Sequence, residues 1–127
     1  MVLTLSPRRA AVQGGCLIEV QKDAVPPVGR SFDFAVDSSV DPPVEFSIPA
    51  GTHSNIFLIP SETDIVSEKV PDGWELADVS CDTSDPGFIV IVDDKKNVVA
   101  TCVTEGFSLC AFTNVAPENV PALSEWV

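Results

Sequence analysis

Three polar side chains, each on the apolar face of a separate strand-like run, carry the chemistry in this sequence. In Ser67-Glu68-Lys69-Val70-Pro71-Asp72-Gly73-Trp74, Val66 and Glu68 share one face and Ser67 and Lys69 the other, because side chains two apart on a strand point the same way. Glu68 therefore points inward, just before a tight turn. In Cys16-Leu17-Ile18-Glu19-Val20-Gln21-Lys22-Asp23, Ile18, Val20 and Lys22 fall on one face, so Lys22 faces the core. In Cys110-Ala111-Phe112-Thr113-Asn114, Phe112 marks the buried face and Asn114 shares it. An unpaired inward carboxylate is expensive to bury, so Glu68 needs partners of complementary chemistry, and Lys22 and Asn114 are the candidates. Desolvation favours the uncharged forms, lowering the pKa of Lys22 and raising that of Glu68. Lys22 is then a free amine, the nucleophilic form, beside an acid and a carboxamide. The alternative use of the same residues is a buried Lys22-Glu68 ion pair with Asn114 as a hydrogen-bond partner.

The elements that must position this trio are strands. From Leu17 onward the chain is punctuated by short alternating runs cut by Pro and Gly, with almost no helical periodicity. The runs 17–22, 31–37, 44–48, 54–58, 64–69, 74–81, 88–92, 98–103 and 107–114 are expected strands. Turns come from stretches such as Pro71-Asp72-Gly73, Pro49-Ala50-Gly51 and Asp93-Asp94-Lys95-Lys96-Asn97, whose residue types suit turn geometry. Strand length and spacing predict an all-β, Ig-like two-sheet sandwich with Greek-key character. Phe32, Phe34, Trp74, Phe88 and Phe112 are its expected large core residues.

The chain has 127 residues, enough for one domain with a real core. Its formal charge of -12 argues against nucleic acid, whose binding rests on Lys and Arg neutralising phosphates, and suits a solvated outer face. Four cysteines, Cys16, Cys81, Cys102 and Cys110, include no Cys-x-x-Cys pair and have only His53 as an accessory ligand. A disulfide framework in an oxidising compartment fits them better than zinc. Three connectivities are open; if Thr104-Glu105-Gly106-Phe107 is a hairpin turn, Cys102 lies roughly opposite the 108–110 stretch, but a direct Cys102-Cys110 bond is geometrically constrained. The Asp-rich turns, Asp82 with Asp85 and Asp93 with Asp94, lack the glycine and terminal Glu of an EF-hand loop. His53 has no nucleophile motif around it. No metal, cofactor or external substrate is expected.

These runs, in this order, resemble the Cna B-type, prealbumin-like β-sandwich modules of bacterial surface proteins and pilins. The resemblance runs through Ile18-x-Val20-x-Lys22-Asp23, Leu58-Ile59-Pro60, Glu68 to Trp74, Val79-Ser80-Cys81 and Cys110 to Asn114, and covers most of residues 16 to 115. It implies a spontaneous isopeptide bond between Lys22 and Asn114, promoted by Glu68. In that chemistry a protonated Glu68 is expected to hydrogen-bond the Asn114 side-chain carbonyl and polarise it for attack. It also implies pairing of Cys81 with Cys110, which leaves Cys16 with Cys102. Asp64 departs from the family, standing where an aromatic residue is common, so shielding of the site could differ.

Residues 1–15 read as an N-terminal arm, 16–115 as the sandwich and 116–127 as a Pro-rich tail. Met1 to Leu5 has strand character but lacks the charged start and long apolar run of a signal peptide. Arg8 and Arg9 precede Gln13-Gly14-Gly15, expected to act as a flexible hinge. The stretch Val120-Pro121-Ala122-Leu123-Ser124-Glu125-Trp126 is similar to the Ile-Pro-Thr-Leu-Ser-Glu-Trp type of exosortase-linked sorting signal, although no membrane-spanning run follows it here. The expected function is a structural module at the bacterial cell surface, a scaffold stiffened by one self-directed turnover and not an enzyme. Its partners would be other surface proteins or copies of itself. Two further classes are a filament subunit whose terminal arms add to a neighbour's sheet edge, and an adhesin or carbohydrate-binding module. The absence of Tyr weighs against the last, which needs exposed aromatics.

Overall fold

The computed structural model describes residues 14–116; the expectations for residues 1–13 and 117–127, including the arm and the sorting-like stretch, lie outside the described residues. Nine strands follow one another: β1 (Cys16–Val25), β2 (Ser31–Ser38), β3 (Val44–Pro49), β4 (His53–Leu58), β5 (Thr63–Lys69), β6 (Glu75–Cys81), β7 (Phe88–Asp93), β8 (Asn97–Cys102) and β9 (Gly106–Val115). They form two sheets, β4-β1-β9-β6 and β3-β2-β5-β8-β7, the all-β sandwich that the alternating runs imply. Between them lies a core that includes Ile18, Val20, Phe32, Phe34, Ile48, Val66, Phe88, Val98 and Phe112. The aromatic residues interlock: Phe34 meets Phe112 edge-on at 5.1 Å and Phe32 meets Trp74 edge-on at 5.4 Å. Trp74 is half-buried, packing against the core from its margin.

The turns show why the strands end where they do. Gly51 and Gly73 have φ of 85° and 86° at the third position of turns closed by Thr52 N to Pro49 O and Trp74 N to Pro71 O, a conformation that only glycine adopts without cost. At Gly15 only glycine fits, because a Cβ there would come within 2.4 Å of the Leu58 carbonyl oxygen.

The largest departure from expectation concerns residues 103–105. They do not close a hairpin, because β8 belongs to the five-stranded sheet and β9 to the four-stranded one. The chain crosses the sandwich there, and β9 runs parallel to β1, with Cys16 opposite Gly106 and Val25 opposite Val115. This ten-residue pairing also carries β1 three residues past its expected end. First and last strands are thus neighbours at the centre of one sheet.

Two disulfides tie the framework. Cys16 is bonded to Cys102, across the two sheets, and Cys81 to Cys110, between directly opposed residues of β6 and β9. The first closes a separation of 86 residues. Loop-closure entropy for such a span is worth about 4.5 kcal/mol. Replacing Cys16 and Cys102 together by Ser is expected to lower the urea midpoint accordingly, measured in a Lys22→Met background, which removes the expected Lys22-Asn114 bond and the overlapping loop it would close.

Candidate functional site

Lys22 is held by backbone contacts before its side chain does anything. Its N–H donates to Thr52 O at 3.0 Å and its carbonyl accepts from Gly51 N at 2.8 Å, so the β3–β4 turn fixes where the side chain departs. The side chain enters the core fully buried, its stem passing along apolar surface as long cationic side chains do. Its Nζ lies 4.5 Å from the Phe32 ring centroid. Three carbonyl oxygens receive it: Asn114 Oδ1 at 2.7 Å, Asp23 O at 3.1 Å and Phe112 O at 3.2 Å.

Asn114, also fully buried, sits on β9 one step diagonal to Lys22, since the register pairs Lys22 with Phe112 and Ala24 with Asn114. Residues so placed on one face are within reach of long side chains. Glu68 arrives from the opposite sheet, on β5, with its carboxylate fully buried. Its Oε1 lies 3.4 Å from Lys22 Nζ, and its Oε2 accepts from Asn114 Nδ2 at 2.5 Å. The three side chains predicted to face inward therefore meet at one point between the sheets.

In one respect the geometry differs from expectation. Glu68 bonds the amide nitrogen of Asn114, whereas the carbonyl oxygen takes its hydrogen bond from Lys22. The carboxyl thus bridges the amine and the nitrogen that would have to leave. Burial pushes the Lys22 ammonium below its ordinary value, against the opposing pull of the Glu68 charge. Burial likewise pushes the Glu68 carboxyl up, opposed by Lys22 and by the Asn114 amide. Both shifts favour a neutral amine beside a neutral acid. Such a site can support attack of Nζ on Asn114 Cγ, with Glu68 taking a proton through Oε1 and delivering one to the departing nitrogen through Oε2. The C–N bond to Nδ2 breaks as the new one forms, and one ammonia is released.

A second buried polar cluster lies elsewhere on β5. Asp64 is buried, and its carboxyl is raised to about 7 by burial, by its hydrogen bond and charge interaction with Glu62, and by Asp41. Glu62 is buried as well, with Oε1 accepting from Ile59 N at 2.9 Å and Oε2 from Ser38 Oγ at 3.0 Å. The alternation that turns Glu68 inward also turns Asp64 inward, so that signal was available. Glu62 had no comparable signal, because it precedes the strand in a turn. The Asp-rich turns have local work: Asp82 accepts from Ser84 N, and Asp85 from Gly87 N and Phe107 N. Among the described residues no group of three or more His, Cys, Asp or Glu is arranged to hold a metal ion, and no helix is long and apolar enough to cross a membrane.

No family model and no curated protein matches the sequence. Solved structures do match the fold. A bacterial adhesin from Mobiluncus mulieris, described as containing intramolecular disulfide, isopeptide and ester bond cross-links, superposes with a TM-score of 0.60 at 17% identity, over 83% of this chain and 42% of that one. The pilus-presented adhesin Cpa superposes with a TM-score of 0.54 at 12% identity, over 85% of this chain and 29% of that one. The chain spans less than half the length of either structure. At these identities the likeness establishes the fold, a disulfide-bonded β-sandwich of the kind found in these bacterial adhesins.

Proposed function

We propose that this chain is an extracellular structural module of a bacterial surface protein, stiffened by a self-formed isopeptide bond between Lys22 and Asn114. The observation that carries this reading is the buried triad itself, with Lys22 Nζ 2.7 Å from the Asn114 side-chain oxygen and Glu68 bridging nucleophile and leaving group. A cross-link in the fold-sharing Mobiluncus adhesin supports it. Topology supplies the reason for such a bond. Because β1 and β9 are parallel neighbours, tension applied to the two ends of the sandwich pulls them past each other along their length. A covalent tie between Lys22 and Asn114 bears that load directly and leaves the segment between them, 92 residues apart in sequence, mechanically closed.

Pulling a tandem fusion of the domain by its termini under reducing conditions tests this. The parent should show no unfolding extension from the segment between residues 22 and 114, whereas Glu68→Ala should release its full length. Equal extension in both would remove the mechanical role.

The filament reading keeps one supporting observation. β6 and β7 are edge strands of the two sheets, and Ile89 and Ile91 on β7 are at least half exposed, as a strand-adding surface requires. Concentration-dependent polymers abolished by removing either terminal arm would favour it. The carbohydrate-binding reading is weaker, since Trp74 is committed to Phe32.

A further inference from the structure

Away from the triad, a groove of about 320 Å³ opens between β3 and β4. Its walls include Val36, Val44, Phe46 and Ile56, and Glu62 and Asp64 lie among its lining. Asp64 is 2% exposed, and beyond the contact of its carboxyl with Glu62 its buried Oδ1 receives no hydrogen bond from an N–H donor. Buried polar atoms are almost always satisfied, so an orphaned carboxylate oxygen in an open groove marks a place for a donor. Glu62 is braced by Ile59 N and Ser38 Oγ, so the acidic end of the groove is preformed.

Two features define the occupant. The apolar walls and acidic end suit a ligand with an aliphatic stem and a cationic head, which is the form of a lysine side chain. Of the groove's lining residues, Val44 and Phe57 are each at least half exposed, apolar surface of the kind that marks interaction sites. Among the described residues β3 pairs only with β2 and β4 only with β1, which leaves free strand edges beside the groove for an extended chain to lie against. A metal ion fits less well: Asp41 also lines the groove, but among the described residues no three acidic, His or Cys side chains are grouped so as to hold one.

We infer that this groove receives a lysine side chain from an extended segment of a partner protein, its ammonium seated on Glu62 and Asp64. The surface is separate from the Lys22-Asn114 triad and does not depend on whether that bond forms. Complementarity of charge also favours a basic partner for a chain of formal charge -12, by raising the rate of encounter.

The test is titration of the isotope-labelled protein with the peptide acetyl-Val-Lys-Val-amide, followed by amide chemical shifts. Saturable shifts confined to residues 44–46, 54–57 and 62–64 are expected. Affinity should fall about tenfold or more when norleucine replaces lysine, and similarly in Asp64→Asn and in Glu62→Gln, because a charge-assisted hydrogen bond is lost each time. Equal binding of the norleucine peptide would overturn the proposal in favour of a purely apolar groove. Shifts produced by calcium chloride at the same amides, with none from the lysine peptide, would overturn it in favour of a metal site. Shifts of these amides with protein concentration alone would assign the groove to a second copy, and no shift from any probe would leave it without a ligand role.

Discussion

Asn114→Ala is expected to lower the unfolding midpoint by about 20 °C, the shift that a loss of about 5 kcal/mol produces in a domain of this size. The proposed Lys22-Asn114 tie, which it removes, would close a span of 92 residues, for which loop entropy alone gives most of that figure. The rest comes from Lys22, which keeps its buried position but is left there as a free amine without an Asn114 side chain to hold it. Lys22→Met separates the two contributions. It also prevents the bond, yet fills the space with an unbranched apolar chain, and it leaves Glu68 beside an amide donor without a cation. Its loss should therefore be close to the loop term, with Glu68 turning neutral to suit its burial. Differential scanning calorimetry of the three proteins under reducing conditions reads both effects. Midpoints within a few degrees of the parent, in both variants, would mean that no covalent tie is being lost.

Asp64→Asn should do the opposite, and only above acid pH. The Asp64 carboxyl is held at about 7 in the folded chain, against an ordinary value of 3.8. A raised value means that the folded state holds the proton more tightly than the unfolded one. The stability this confers is fully present below about 3.8, is lost as pH rises toward about 7, and is absent above. At about pH 8 the parent carries a buried charge next to Glu62, and the neutral amide of the variant does not. After allowance for solvent at the groove opening, the variant should gain about 2 kcal/mol at that pH and nothing at about pH 4. Urea melts at the two pH values measure the difference. A variant less stable than the parent at about pH 8 would show that the Asp64 charge is compensated in the fold.

Much of this molecule was legible because a strand displays its buried face in every second residue. Parity alone placed Lys22, Glu68 and Asn114 inward on β1, β5 and β9, and all three are buried at a common point. Parity also separates Phe32 and Phe34 from the exposed Asp33 between them, and both lie in the core. What parity does not convey is which strands are neighbours. Residues 103–105 look like a short connection between antiparallel partners, yet they cross between sheets, because β9 finds a longer pairing beside β1 than it would beside β8. The same nonlocal pairing extends β1 to Val25. The hydrogen bond of Glu68 to the amide nitrogen of Asn114 was equally out of reach. It depends on where two sheets stand relative to one another, which no local pattern encodes. Asp64 is readable as an inward carboxylate by the same alternation, but its partner Glu62 sits in the preceding turn, where alternation says nothing.

The most direct measurement is the intact mass of the reduced protein beside that of Glu68→Ala. The Lys22-Asn114 bond predicts a parent lighter than its sequence by one ammonia and a variant at full mass, with the missing ammonia traced to a joined peptide pair containing residues 22 and 114. A parent at its full sequence mass would contradict the bond and leave Lys22, Glu68 and Asn114 as a buried ion pair with an amide partner.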